Sequence, residues 1–158
     1  FIRKGNKLRL KGYNSDVIGF TDSLSPLLTP KMKHALVLGT GGASKAVMQA
    51  LKKLGISATL VSRTPAEGRY TYSDLTPEIM AENLLIVNTT PLGMYPHMDE
   101  CPDIPYDQLT TDHLCYDLLY NPDVTLFMRK AAEHGAATKN GLEMLLLQAF
   151  AAWNIWQE

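Results

Sequence analysis

Three glycines with the spacing of a phosphate-binding turn stand between an apolar run and a helix-like run, in Ala35-Leu-Val-Leu-Gly-Thr-Gly-Gly-Ala-Ser-Lys-Ala46. Glycine lets the backbone turn tightly and approach a pyrophosphate without a Cβ clash, and the amides that begin the next helix then face the phosphates. The pattern predicts a dinucleotide-binding turn, although such glycines can also serve packing alone. The candidate cofactor contacts are Gly39, Thr40, Gly41, Gly42, Ala43 and Ser44, with the hydroxyl of Ser44 as a further phosphate ligand.

A basic residue stands where the second strand of such a fold ends, in Ser62-Arg63-Thr64. Enzymes that use NAD usually place Asp or Glu here to bind the ribose 2′-hydroxyl. A carboxylate would repel a 2′-phosphate, whereas Arg63 can bind it through charge-assisted hydrogen bonds and stack on adenine. Ser62 and Thr64 can donate hydroxyls to the same group. These residues predict NADP rather than NAD as the cofactor; the alternative is a solvated surface arginine.

The elements that must position these residues alternate between strand and helix patterns. We predict strands near 34–39, 58–62, 69–72, 84–88 and 113–118, and helices near 43–54, 76–82, 123–134 and 141–156. Alternation of this kind predicts an α/β fold, a doubly wound, mostly parallel Rossmann-type sheet with helices on both faces.

Other patterns flank and interrupt this alternation. Residues 1–13 predict a β-hairpin that turns at Gly5-Asn6, and a short helix runs from Asp16 to about Leu28 and ends before Pro30. The stretch 91–105 is rich in Pro, Asp and Met and predicts a long surface loop, a type that often has a function.

Bulk composition excludes several classes of protein. The 158 residues carry a net charge of −1, which gives no argument for binding nucleic acid or a membrane surface. No apolar run approaches the roughly 20 residues that span a bilayer, and no signal peptide is evident, so we expect a cytoplasmic protein. Cys101 and Cys115 form no Cys-x-x-Cys pair and are expected to be reduced thiols. The four histidines lack metal-ligand spacing, so no metal site is expected.

Several stretches together resemble the shikimate dehydrogenase family, in the order in which the family has them. They are Gly12-Tyr-Asn-Ser-Asp16 with Gly19; Gly39-Thr-Gly-Gly-Ala-Ser44; Asn88-Thr-Thr-Pro-Leu-Gly-Met94; and Tyr116-Asp-Leu-Leu-Tyr-Asn-Pro122 followed by Asn140-Gly-Leu-Glu-Met144 and Gln148. The resemblance covers nearly the whole chain. It implies NADP-dependent interconversion of 3-dehydroshikimate and shikimate in aromatic amino-acid biosynthesis.

The resemblance also implies a missing part. Family members have an N-terminal substrate domain with a Ser-x-Ser pair, a catalytic Lys and an Asn, and none of these is found here. We therefore expect residues 1–15 to be a remnant hairpin of that domain, 16–30 a linker helix and 31–158 the NADP-binding domain. Helix 141–156 is expected to pack back toward the substrate domain. The chain alone is expected to bind NADP without turning over shikimate, and a homodimer remains open.

Site roles follow from the resemblance residue by residue. Asp16 matches one half of the catalytic Lys–Asp pair and a substrate ligand, although from the residues alone it is equally an N-cap. Tyr120 and Gln148 match substrate contacts; the alternatives are a partly buried Tyr at a strand end and a solvent-facing Gln. The residues that match positions around the cofactor are Leu118, Gly141 and Met144 beside the nicotinamide, and Thr89 and Thr90 after the fourth strand.

Two departures from the family pattern leave cofactor affinity open. Ser62 stands where Asn is common, and Leu118 where Met is frequent. Met144 by itself would also suit a core position.

Two other functions stay open at this point. One is a quinate/shikimate dehydrogenase with relaxed cofactor use, and the other is a non-catalytic nucleotide-binding module.

Overall fold

The chain begins with a two-stranded antiparallel ribbon. The structure, a computed structural model, describes residues 2–4, 7–9 and 14–157. Strands β1 (Ile2–Lys4) and β2 (Lys7–Arg9) pair with Ile2 opposite Arg9. The antiparallel pairing predicted for the start of the chain is confirmed, while the predicted turn at Gly5-Asn6 lies outside the described residues.

Six parallel strands form the central sheet. They are β3 (His34–Leu38), β4 (Ser57–Ser62), β5 (Arg69–Thr71), β6 (Leu85–Asn88), β7 (Leu114–Asp117) and β8 (Ala137–Lys139). Their order is β5-β4-β3-β6-β7-β8, and every neighbouring pair is parallel. The connections from β3 run outward in both directions, so the carboxyl ends of β3 and β6 flank a topological switch point. The predicted doubly wound parallel sheet is confirmed, with β8 as a strand that the sequence did not predict.

Five α-helices complete the fold of the described residues. They are α1 (Asn14–Leu24), α2 (Gly42–Lys53), α3 (Pro77–Glu82), α4 (Leu126–Glu133) and α5 (Leu142–Gln157). A 3₁₀ turn, Ser25–Leu27, extends α1, which ends close to the predicted position. Helix α4 begins three residues later than predicted because Thr125 is its N-cap and accepts a hydrogen bond from the Met128 N–H.

Each face of the sheet has its own apolar core. On one face Phe20 of α1 and Leu51 of α2 pack with Val37 of β3, and all three are fully buried. On the other face Leu38 of β3 packs with Phe127 of α4. Successive residues of β3 thus point to opposite cores, which is why its run is apolar throughout. Helices cover both faces, as predicted.

Helix α1 belongs to the first of these cores. Phe20 lies 5.0 Å from Tyr116 between ring centroids, and the Tyr116 hydroxyl shares a 2.6 Å hydrogen bond with Ser23. A Cβ on Gly19 would lie 2.6 Å from the Met144 carbonyl oxygen, so the backbones of α1 and α5 touch there. Helix α1 and helix α5 are therefore held together against the sheet.

None of the helices described is long and apolar enough to cross a membrane. No cluster of three or more His, Cys, Asp or Glu side chains in the described residues is arranged to hold a metal ion. Both cysteines are free thiols, and burial raises the pKa of Cys115 to about 12.

Candidate functional site

The glycine turn after β3 is tied to the strands on both sides of it. The Gly39 N–H donates to the Val61 carbonyl oxygen of β4 at 2.9 Å. On the other side the Thr89 N–H and hydroxyl both donate to the Leu38 carbonyl oxygen, at 2.9 and 2.6 Å. Gly39 has φ +105°, and a Cβ there would lie 2.7 Å from Thr89 Oγ1. Only glycine fits this position, because both the backbone conformation and the space exclude a side chain.

The amino terminus of α2 opens toward solvent next to this turn. The helix begins at Gly42, its N-cap Gly41 has extended backbone, and none of the described side chains caps it. A Cβ on Gly41 or Gly42 would meet no atom within 4 Å. Uncapped N–H groups and the positive end of the helix dipole at an open surface favour an anion.

Ser44 has a structural role inside this turn. Its side chain is buried, and its hydroxyl and N–H both donate to the Gly41 carbonyl oxygen, at 2.6 and 3.2 Å. A phosphate contact by this hydroxyl, as predicted from the sequence, would require that hydrogen bond to break. Ser44 instead fixes the Gly41 peptide at the entrance of α2.

One cavity of about 670 Å³ joins the predicted cofactor segments. Of the predicted residues, those that line it are Gly39, Thr40, Gly41, Ser62, Arg63, Thr89 and Thr90. The lining residues that the sequence did not single out are Thr71, Tyr72, Ser73, Pro91, Leu92, Cys101 and Asp103. Four other predicted residues are close in sequence to these lining residues but do not line the cavity themselves: Gly42, Ala43, Ser44 and Thr64. The cavity lies at the carboxyl edge of β3, β4 and β6, where ligands bind in open parallel sheets.

Arg63 is the cation of this cavity. Its side chain is exposed, and within the described residues no carboxylate lies at ion-pair distance from it. It lies beside Tyr72, whose pKa is raised chiefly by burial, lowered by the Arg63 charge and raised by that of Asp103. Ser62 Oγ accepts the Thr64 N–H at 3.3 Å, which leaves the hydroxyl proton of Ser62 available to an acceptor. The end of β4 thus presents one positive charge and one hydroxyl donor to the cavity.

A buried polar network organises the loops after β6 and β7. Asn88 and Asp117 are fully buried and stand opposite each other in the sheet, with Asn88 Nδ2 donating to Asp117 Oδ1 at 3.2 Å. The Thr125 hydroxyl donates to Asp117 Oδ2 at 2.7 Å, and the Leu119 N–H donates to Oδ1 at 3.0 Å. Burial raises the pKa of Asp117, while the hydrogen bonds from Thr125, Leu119 and Asn88 lower it.

The same network positions one wall of the cavity. Asn88 Oδ1 accepts hydrogen bonds from the Thr90 N–H at 3.0 Å and from its hydroxyl at 2.7 Å. Asn88, Asp117 and Thr125 were not among the predicted site residues. The signal that could have found Asn88 and Asp117 is the single polar residue that ends each of these apolar strands, because such a residue is buried and must be hydrogen-bonded.

A second group of predicted residues lies where β7, α1 and α5 meet. A Cβ on Gly141 would lie 1.9 Å from the Leu118 carbonyl oxygen, and the Gly141 N–H donates to the Leu119 carbonyl at 2.9 Å. Leu118 and Met144 are partly buried against the same core. The structure therefore brings Leu118, Gly141 and Met144 together, outside the lining of the cavity.

The predicted substrate contacts flank this second group. The backbone of Gln148 lies against α1, because a Cβ on Gly19 would be 3.0 Å from the backbone nitrogen of Gln148. Tyr120 lies three residues after the end of β7, and its side chain is 46% exposed. Asp16 lies in the first turn of α1, two residues after its start, so the N-cap alternative is wrong. Partial burial raises the pKa of the Asp16 carboxyl.

Comparison with known proteins agrees with this geometry. No protein-family model matches the chain. A shikimate dehydrogenase (NADP⁺) of Desulforamulus reducens is 36% identical over 171 residues, which cover 96% of this chain and 59% of that protein. The chain is a relative of the shikimate dehydrogenases. The resemblance inferred from the motifs is thereby confirmed.

Solved shikimate dehydrogenases share the fold. The Aquifex aeolicus enzyme is 36% identical with a TM-score of 0.75, over 90% of this chain and 55% of its own. The Thermus thermophilus enzyme, solved with NADP(H) and shikimate, is 31% identical with a TM-score of 0.76, over 90% of this chain and 56% of its own. The chain therefore spans little more than half the length of the shikimate dehydrogenases it matches.

Proposed function

We propose that this chain is the NADP-binding part of a shikimate dehydrogenase, which reversibly reduces 3-dehydroshikimate to shikimate by hydride transfer from NADPH. The observation that carries the proposal is the single cavity that joins the glycine turn, Arg63 and Thr89–Thr90. The solved relative from Thermus thermophilus that binds NADP(H) and shikimate supports the same assignment.

The residues present fit a dinucleotide with a 2′-phosphate. The space beside Gly39 would be filled by a Cβ, and the open amino terminus of α2 suits a pyrophosphate. Arg63 and Ser62 then offer a charge and a hydroxyl to the 2′-phosphate, and the end of β4 carries no carboxylate to repel it. When bound, the dinucleotide supplies or accepts the hydride; the chain's own residues bind and orient it.

The second group of residues would hold the reacting ring of the cofactor and the substrate. Leu118 and Met144 would wall one side of the nicotinamide, and Gly141 would let the backbone approach it closely. Tyr120 and Gln148 can each donate and accept hydrogen bonds, which suits a polyhydroxylated substrate ring.

Asp16 is the proposed catalytic carboxylate of this chain. It would orient the substrate hydroxyl and tune a lysine contributed by a substrate domain. Its raised pKa, caused by partial burial, supports a role in holding a proton near the reacting oxygen.

The proposed domain organisation places residues 1–15 with a substrate domain, 16–30 as a linker helix that packs into the core of the sheet through Phe20 and Leu24, and 31–158 as the NADP-binding domain. Helix α5 supports a contact with such a domain, because its solvent-facing side is apolar. The exposed large apolar side chains of α5 are Leu142, Leu145, Leu146, Phe150, Trp153 and Trp156, with Phe150, Trp153 and Trp156 each more than 60% exposed. Apolar surface of this extent marks an interface.

The test is to measure binding and turnover on the same preparation of this chain. NADP⁺ binding is followed by calorimetry, and shikimate oxidation by the absorbance of NADPH. The proposal predicts binding of NADP⁺ without measurable turnover, since it assigns the catalytic lysine to a substrate domain outside residues 1–158. Robust turnover would contradict the division into domains, and absence of NADP⁺ binding would contradict the assignment of the cavity.

A further inference from the structure

Three residues line the same cavity as the glycine turn but come from other parts of the chain. Tyr72 follows β5, while Cys101 and Asp103 come from the loop between β6 and β7. Tyr72 lines the same cavity as Arg63 and Asp103, and the pKa of its hydroxyl is raised chiefly by burial, lowered by the Arg63 charge and raised by that of Asp103. We call Tyr72, Cys101 and Asp103 the base wall.

The first half of the base wall is held in place by a capping box. The Thr71 N–H and hydroxyl donate to Asp74 Oδ2 at 2.8 and 2.9 Å, which fixes the 3₁₀ turn Tyr72–Asp74. The hydrogen bond from the Thr71 N–H is the main reason that the pKa of Asp74 is lowered. Tyr72 is thus presented to the cavity by a rigid turn.

The second half is anchored by buried neighbours. Asp103 stands between Pro102 and Ile104, both of which are buried. The Tyr106 hydroxyl donates to the Pro102 carbonyl oxygen at 2.6 Å, and the Tyr106 ring packs edge-on against Phe127 with centroids 6.2 Å apart. The carboxylate of Asp103 therefore projects from a fixed backbone although the side chain itself is exposed.

The position of the base wall follows from the direction in which a dinucleotide must run. In the proposed function the pyrophosphate would lie at the glycine turn, and the ribose that carries the 2′-phosphate would lie at Arg63. The nicotinamide half would run toward Leu118 and Gly141, on the β7 side. The nucleobase must then extend from Arg63 toward the end of β5, where Tyr72 and Asp103 are.

We propose that the base wall reads the nucleobase of the cofactor, with Asp103 accepting a hydrogen bond from an exocyclic amine while Tyr72 packs beside the base. The proposal rests on the proposed function, since it names a specificity-determining residue within that cavity. A carboxylate favours adenine, which has an amine at position 6, over a base with a carbonyl there. An acceptor facing a carbonyl oxygen leaves both groups unpaired.

The test compares NADP⁺ with its hypoxanthine analogue, in which a carbonyl replaces the 6-amine, by calorimetric titration. For the unaltered chain we expect NADP⁺ to bind about tenfold more tightly or better, the range for one hydrogen bond to a charged group. The Asp103→Asn variant should bring the two affinities to within about threefold, because an amide can donate or accept. Loss of the Asp103 charge acts on both ligands alike and cancels in the ratio.

The control is Asp99→Asn, which removes the same charge from an exposed residue of the same loop that does not line the cavity. It should keep the full preference. Two results would overturn the proposal that Asp103 recognises the nucleobase while leaving the cofactor site intact. They are equal affinities of the unaltered chain for NADP⁺ and its hypoxanthine analogue, or a preference for NADP⁺ that survives Asp103→Asn. Absence of NADP⁺ binding would overturn both the proposed recognition of the nucleobase and the proposed function.

Discussion

Replacing Thr125 by valine tests the buried network that holds two of the site's loops. Thr125 makes two hydrogen bonds with one hydroxyl, donating to Asp117 Oδ2 at 2.7 Å and accepting the Met128 N–H at 3.3 Å as the N-cap of α4. Valine has nearly the same shape, so Thr125→Val removes both bonds without leaving a cavity. The buried carboxylate of Asp117 then loses one of its donors.

The expected cost of Thr125→Val is the sum of two terms. Loss of an N-cap costs about 1 kcal/mol. Loss of a hydrogen bond to a buried charged group costs about 1.5–3 kcal/mol. The variant should therefore be about 2.5–4 kcal/mol less stable than the parent chain at neutral pH.

Thr76→Val is the matched control. Thr76 is the N-cap of α3 and accepts the Ile79 N–H at the same 3.3 Å, but it is exposed and no carboxylate depends on it. We expect it to cost about 1 kcal/mol. The difference between the two variants isolates the bond between Thr125 and Asp117, and urea unfolding followed by circular dichroism measures both.

The deficit of Thr125→Val should also depend on pH. Burial already raises the folded-state pKa of Asp117 above its ordinary 3.8, and the Thr125 bond opposes this, so the variant raises the pKa further. A raised folded-state pKa means that stability is fullest below 3.8 and is lost as pH rises through the folded value. The deficit should therefore shrink as pH falls from neutral toward that range. Equal costs for Thr125→Val and Thr76→Val, or a deficit that does not change with pH, would refute the account of the network.

Three further changes test the site itself. Gly39→Ala should weaken NADP⁺ binding at least tenfold in a calorimetric titration, since its Cβ would lie 2.7 Å from Thr89 Oγ1. The control is Gly68→Ala, at φ +78° with open space around it, and equal losses of affinity would contradict the role of the glycine turn in binding. Gly141→Ala should destabilise the chain by more than about 3 kcal/mol in urea unfolding, because a Cβ 1.9 Å from a carbonyl oxygen must displace backbone, and a near-neutral effect would contradict the close approach. Tyr116→Phe should lower the free energy of unfolding by about 1 kcal/mol in the same measurement, through loss of the 2.6 Å hydrogen bond to Ser23. An unchanged free energy of unfolding would show that this hydrogen bond does not stabilise the fold.

The sequence predicted the parts of the site that depend on local pattern. The run Ala35–Leu38 is apolar because both of its faces are covered. Glycine stands at position 39 because the turn that directly follows this strand needs a positive φ. Arg63 was found in the same way, at the end of an adjacent strand. Each of these features depends on a sequence pattern of only a few residues around it, so no long-range pairing is needed to find it.

What the sequence did not predict depends on distant pairing. Strand β8 is a short run of weak strand formers, and its order comes from pairing with β7, where Ala137 stands opposite Leu114. Tyr72 and Asp103 are 31 residues apart in sequence and line the same cavity, so only the tertiary fold brings them to one site. The contact of Asn88 with Asp117 likewise requires the register between β6 and β7.

The most direct test of the central claim is a calorimetric titration of this chain with NADP⁺ and, separately, with NAD⁺, repeated on Arg63→Ala and on the exposed-surface control Arg129→Ala. The account predicts that NADP⁺ binds at least about tenfold more tightly than NAD⁺, that Arg63→Ala removes the difference, and that Arg129→Ala keeps it. Equal binding of the two dinucleotides by the unaltered chain would contradict the claim that Arg63 binds the 2′-phosphate.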